Sequence, residues 1–145
     1  MFVRYRCLST NSNNSDFVGL CQTYYSPENG YYSGSEISGL QMALPRINDI
    51  FHDQHNDNPC VDFLLNYLCH YYFPQCNLTT GEITPVCSST CALLANNEDC
   101  ADLGEIANEE LEINNIPSPN DSCFQTFRSY NTPPTVSEGC LSIEG

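Results

Sequence analysis

Cys60-Val-Asp-Phe-Leu-Leu-Asn-Tyr-Leu-Cys69, then His-Tyr-Tyr-Phe-Pro-Gln-Cys76, then Thr84-Pro-Val-Cys87 and Ser-Ser-Thr-Cys91, is the stretch that decides the fold. Cys7 and Cys21 stand before it, and Cys100, Cys123 and Cys140 after it. Ten cysteines in 145 residues is an even count at high density. With three Asn-x-Ser/Thr sequons and no lysine, it reads as an extracellular or cell-surface chain framed by disulfides.

Working outward, the length suits one domain, residues 1–145 with its core between Cys7 and Cys140. At 41% hydrophobic and 15% charged residues the core is modest, and cross-links supply much of the remaining stability. The net charge of −14 comes from 18 acids against Arg4, Arg6, Arg46 and Arg128. A phosphate-binding surface needs clustered cations, so nucleic acid and anionic membrane are poor partners. No run approaches the ~20 apolar residues of a membrane span. Met1-Phe-Val-Arg-Tyr-Arg-Cys7 has no apolar centre for a signal peptide, so the chain reads as a mature or excised piece of a secreted protein. The sequons Asn13-Asn14-Ser15, Asn77-Leu78-Thr79 and Asn120-Asp121-Ser122 fall in polar, loop-like stretches, which makes Asn13, Asn77 and Asn120 the candidate glycan sites.

Residues 8–35 read as loop, with tyrosine pairs at Tyr24-Tyr25 and Tyr31-Tyr32. Ile37, Leu40, Leu44, Ile47, Ile50 and Phe51 then recur at helical spacing, and Pro45 inside the stripe predicts a kink or a break. Asn58-Pro59 is a cap followed by proline at the first helical position, opening a helix to about His70 that Tyr71-Tyr72-Phe73-Pro74 ends. Thr84-Pro85 repeats the device and predicts a helix through Cys87, Cys91, Leu93 and Leu94. Residues 98–112 carry seven acids with Leu103, Ile106 and Leu111 and read as a helix interrupted at Gly104. From Ile116 on, prolines, asparagines and serines predict an irregular tail pinned by Cys123 and Cys140. The expected fold is mainly α: a small, disulfide-rich, four-helix-like bundle with irregular terminal segments, short strands and five disulfides.

The cysteine block resembles the Frizzled-type cysteine-rich domain. An apolar helix spans Cys60 to Cys69 and ends Tyr-Leu-Cys, similar to the family's Phe-Leu-Cys. Tyr-Tyr-Phe-Pro-Gln-Cys76 is similar to Tyr-x-Pro-x-Cys, and Pro85-Val-Cys87 with Cys91 to Pro-Pro-Cys with a second cysteine one turn later. An amphipathic helix directly precedes Cys60, as in the family. Ten cysteines permit about 945 pairings, among which sequence alone does not choose. The resemblance implies Cys7–Cys76, Cys21–Cys69, Cys60–Cys100, Cys87–Cys140 and Cys91–Cys123. It also implies a ligand-binding module of a receptor or secreted protein, without catalysis or cofactor. Frizzled receptors hold the fatty acyl chain of Wnt beside the helix before the equivalent of Cys60. By that resemblance, Leu40, Leu44, Ile47, Ile50 and Phe51 are the candidate ligand-binding residues, for a secreted, lipid-modified protein or a fatty acyl chain.

The acidity and the tyrosine-rich loops suit a second reading, an assembly domain without lipid binding. Relatives of the scaffold occur in ancillary subunits of cation channels and in corin-like proteases, and on this reading the chain would dock in such a complex or in an extracellular fibre. Other chemistry has thin support. His52 and His55 share a helix face with Asp53 nearby, but there is no Cys-x-x-Cys pair, and a polar helix end accounts for them. The acids of 98–112 lack the alternating ligands of a calcium loop and read as a solvated face. No metal site and no catalytic residue is expected.

Overall fold

The computed structural model describes residues 7–9, 19–26, 28–32, 37–55, 57–87, 98–116 and 139–141. Helix α1 is Ile37–Gln54, α2 is Cys60–Tyr72 and α3 is Glu98–Ile113. A 3-10 helix, Gly19–Tyr24, precedes them. Four short strands, β1 Leu8–Ser9, β2 Asn29–Tyr31, β3 Gln75–Asn77 and β4 Ile83–Thr84, form one antiparallel sheet in chain order. The domain is small, disulfide-rich and mainly α.

Helix α2 is the centre. Asn58 Oδ1 accepts the Cys60 N–H at 2.9 Å. Pro59 already has helical angles (φ −66°, ψ −15°), so Asn58 is the working cap and Pro59 the first helical residue, whose missing N–H costs nothing there. The helix is apolar nearly all round, with Val61, Phe63, Leu64, Leu65, Tyr67 and Leu68 buried, as befits a helix covered on several sides. It runs through Tyr71 and Tyr72, two residues past the expected end, and Phe73 N–H closes it on Cys69 O at 2.8 Å.

Helix α1 is undivided at Pro45, so of the expected kink or break the break does not occur. Proline inside a helix costs about 3 kcal/mol. Burying Leu40, Leu44, Ile47 and Phe51, on both sides of Pro45, contributes about 1.5–3 kcal/mol each and outweighs that cost. Helix α3 likewise runs through Gly104, because Leu103, Ala107 and Leu111 are buried around it and the glycine costs only about 1 kcal/mol. It ends in a Schellman motif. Asn115 adopts φ 60°, its N–H bonds Glu112 O at 3.0 Å, and Ile116 N–H bonds Leu111 O at 2.9 Å. Ile116 is buried and its side chain lies over Gly39 of α1, where an added Cβ would stand 3.1 Å from it.

The 8–35 segment is more ordered than its polarity predicts, since it supplies the 3-10 helix and two of the strands. Thr84-Pro85 does not open a helix: Thr84 ends β4, and Val86 bridges to Leu141 in parallel. Residues 88–97, with Cys91, Leu93 and Leu94, lie outside the described residues, as does most of the tail.

Four disulfides tie these elements together. Cys7–Cys76 joins the start of β1 to β3, and Cys21–Cys69 joins the 3-10 helix to the last turn of α2. Cys60–Cys100 joins the N-terminal turns of α2 and α3, and Cys87–Cys140 anchors the C-terminal segment. They are four of the five pairs that the Frizzled-type resemblance implies; Cys91 and Cys123 lie outside the described residues.

Gly30 makes the first bridge possible. It sits opposite Cys76 in the β2–β3 register, and a Cβ there would lie 2.8 Å from Cys7 Sγ and from Leu78 Cδ2, and closer still to Leu8 O. A backbone oxygen and a disulfide sulfur cannot swing away as a flexible side chain would. Gly30→Ala is therefore expected to destabilise the protein by about 1–3 kcal/mol, the usual cost of overpacking. Urea denaturation would read it, and unchanged stability would mean that the strands are spaced more widely than described.

Candidate interaction surface

Leu40, Leu44, Ile47 and Phe51 are in the core, each at 1% exposure or less. They pack with α2 and α3 and do not line an open groove along α1. Only Ile50 of the five candidate ligand-binding residues is half-buried. The stripe that suggested acyl capture is the stripe that holds the helix to the domain.

What α1 shows to solvent is Met42, at 70% exposure; α3 shows Ile113, at 72%. Two contacts place them relative to one another. An added Cβ on Gly39 would stand 3.1 Å from Asn114 O, and Arg46 Nε stands 3.3 Å from Glu110 Oε2. The helices therefore run antiparallel, and Met42 lies between the two contacts on α1 as Ile113 lies between them on α3. Both flank the α1–α3 seam at the same level and form an apolar ridge. Around the ridge the exposed charges are Asp49 and Asp53 on α1 and Glu105, Glu109 and Glu112 on α3. Arg46 is the one Lys or Arg among the described residues, and Glu110 engages it, so acid predominates on the described surface of the two helices.

The paired tyrosines mostly fill the interior. Tyr25, Tyr31, Tyr32 and Tyr72 are buried with Phe73, and Tyr24 and Tyr71 are half-buried. Burial, and then the Asp62 carboxylate, hold the Tyr24 phenol above its ordinary pKa. Tyr25 has a defined task. Its hydroxyl faces the carbonyl oxygens of Cys69, at 3.0 Å, and Phe73, and so satisfies the C-terminal end of α2. The Tyr25 ring stacks on His70, centroids 4.4 Å apart.

His70 carries no distinctive sequence signal beyond its place four residues after Asn66. It is buried to 2% exposure, and its Nδ1 lies 3.0 Å from Asn66 O, so Nδ1 carries the proton and donates. Burial lowers its pKa from 6.5 to about 4, against a smaller upward push from that hydrogen bond. By contrast His52 is exposed and His55 half-buried at the helix end, and no metal-holding cluster of side chains exists among the described residues. Of the described acids of α3, Glu98, Asp102, Glu105, Glu109 and Glu112 line its solvent face, while Glu110 is half-buried against Arg46; the Asp99 side chain lies outside the description.

Among the sequons, Asn77 lies at the end of β3, in the β3–β4 hairpin. Asn13 and Asn120 lie outside the described residues. No described helix is long and apolar enough to cross a membrane. Comparison with protein-family models, with curated proteins and with solved structures finds no match.

Proposed function

We propose that the chain is an extracellular interaction module on a Frizzled-type cysteine-rich scaffold, and that it takes a protein partner on the α1–α3 ridge. The observation that carries this reading is the pair Met42 and Ile113, two large apolar side chains exposed to water at one level of the α1–α3 pair. Covering them recovers about 25 cal/mol per Å² of apolar surface, and a rigid helix pair presents them with little entropy left to lose. The predominance of acid favours a partner with an apolar pocket edged by arginine or lysine, and repels an acidic one. The disulfide framework supports an oxidising, extracellular setting.

The acyl-binding form of the reading has less support, because Leu40, Leu44, Ile47 and Phe51 already satisfy one another and α2. Opening a groove there would expose the core. The partner is accordingly a secreted or cell-surface protein, recognised by its surface, and a lipid on it is not required.

Proximity labelling on cells that display the protein tests this. The native chain is compared with a Met42→Asp, Ile113→Asp double variant, whose unfolding curve checks that it folds. The expected result is an extracellular protein labelled by the native chain and lost with the folded variant. Equal labelling by both would contradict the ridge. Saturable binding of a long-chain fatty acid to the purified native protein, undiminished in the variant, would favour acyl capture instead.

A further inference from the structure

We propose that the hairpin tip at Asn77 is built as a glycan attachment site, independently of any partner on the α1–α3 ridge. The sequon alone says only that Asn77 and Thr79 stand two residues apart; the hairpin adds the orientation. The backbone of Asn77 is fixed on both sides. Its N–H donates to Glu82 O at 2.9 Å and its carbonyl accepts the Gly81 N–H at 2.7 Å. Gly81, at φ +77°, closes the loop in a conformation that side chains strain against. Tyr32 Oη donates to Gly81 O at 2.8 Å, and the neighbouring Cys76 is bridged to Cys7, so the tip is held to the body of the sheet.

The side chain is exposed and its carboxamide has a defined sense. Oδ1 accepts the backbone N–H of Thr79 at 2.8 Å and of Thr80 at 3.1 Å. Two N–H donors can be met only by the oxygen, so the amide cannot be turned over. With Oδ1 turned into the loop, Nδ2 projects to the opposite, solvent side. Leu78, Thr79 and Thr80 around it are also exposed, so a sugar on Nδ2 displaces no buried side chain. None of the hydrogen bonds described at the tip uses Nδ2. A glycan therefore adds to this hairpin without removing anything from it.

The donor is an oligosaccharide carried as the diphosphate ester of a lipid. Nδ2 attacks the anomeric carbon. The new C–N bond forms as the anomeric C–O bond breaks, the diphosphate leaves with the electron pair, and the proton lost from Nδ2 passes to a base of the transferring enzyme. Thr79 is the second half of the recognition element, and its hydroxyl is not the atom that holds the loop; its backbone N–H is.

That division gives the test. The chain is secreted from a eukaryotic host and its peptides are read by mass spectrometry after glycosidase release in heavy-oxygen water, which marks each formerly occupied asparagine as labelled aspartate. The expected result is label at position 77, kept in Thr79→Ser and lost in Thr79→Ala, with the thermal midpoint of Thr79→Ala unchanged because the Thr79 N–H remains. An unlabelled Asn77 in folded, secreted protein overturns the proposal, whatever is found at Asn13 and Asn120. So does label at Asn77 that survives Thr79→Ala.

Discussion

Full reduction of the native protein is expected to abolish its cooperative unfolding transition. The four described bridges join residues 69, 48, 40 and 53 positions apart. On the chain-entropy estimate, loops of this size each stabilise by about 4 kcal/mol through the unfolded state. Even without strict additivity, that matches or exceeds the whole stability of a typical domain, about 5–15 kcal/mol. The hydrophobic core cannot take over. Among the described residues it is one principal cluster around α2, plus a small one of Tyr32, Cys76 and Ile83 that itself depends on Cys7–Cys76. Circular dichroism during a urea titration, with and without a phosphine reductant, reads this directly. A reduced protein that still unfolds in one sharp step would mean that packing alone holds the fold.

Acid is expected to weaken the protein through His70. The unfolded chain binds a proton on this side chain at its ordinary pKa of 6.5, and the folded protein only at about 4. In the window between those values the unfolded state holds more protons, so stability falls as pH falls. The full effect is about 3 kcal/mol, complete once the pH is below the folded value and absent above neutrality. The geometry gives the reason. An imidazolium at this site would lie in the core against the Tyr25 ring, out of reach of solvent. Carboxylates titrate nearby, so the measurement is a difference. Urea midpoints at pH 7 and pH 4.5 are compared for the native protein and for His70→Gln, which keeps a donor for Asn66 O. The variant is expected to lose distinctly less stability on acidification; equal losses would mean that His70 is charged, or solvated, in the fold.

The parts of the fold legible in the sequence were those written in local chemistry. Asn58-Pro59 marked the start of α2, and the period of Leu40, Leu44, Ile47 and Phe51 marked α1 as an amphipathic helix. The division allowed for at Pro45 and the interruption at Gly104 did not occur, because tertiary burial keeps α1 and α3 continuous through them. At Thr84-Pro85 the same cap-and-proline pair ends a strand, and Pro85–Cys87 are not helical. Nothing local distinguishes it from Asn58-Pro59; the partner is Cys76, which pairs with Ile83 from the other side of the hairpin. The strands of the 8–35 segment were hidden for a similar reason, since each is only two or three residues long and exists because its neighbours do.

An apolar helical stripe signals burial but does not say against what, and Leu40, Leu44, Ile47 and Phe51 are buried against the domain's own core. The feature that stands out in three dimensions, exposed Met42 and Ile113 on neighbouring helices, joins residues 71 positions apart in the chain, and nothing local in Leu40–Leu44 or around Ile113 links the two. His70 and Tyr25 are likewise brought together by the fold, through the bridge of Cys21 to the adjacent Cys69.

The central claim is that the ten cysteines frame this chain in the Frizzled-type order, with the helices and the hairpin hung on that frame. Peptide mapping of the native, unreduced protein tests it most directly. The account requires Cys7–Cys76, Cys21–Cys69, Cys60–Cys100 and Cys87–Cys140, with Cys91 joined to Cys123 and no free thiol. A free thiol, or Cys87 joined to Cys91, would contradict it.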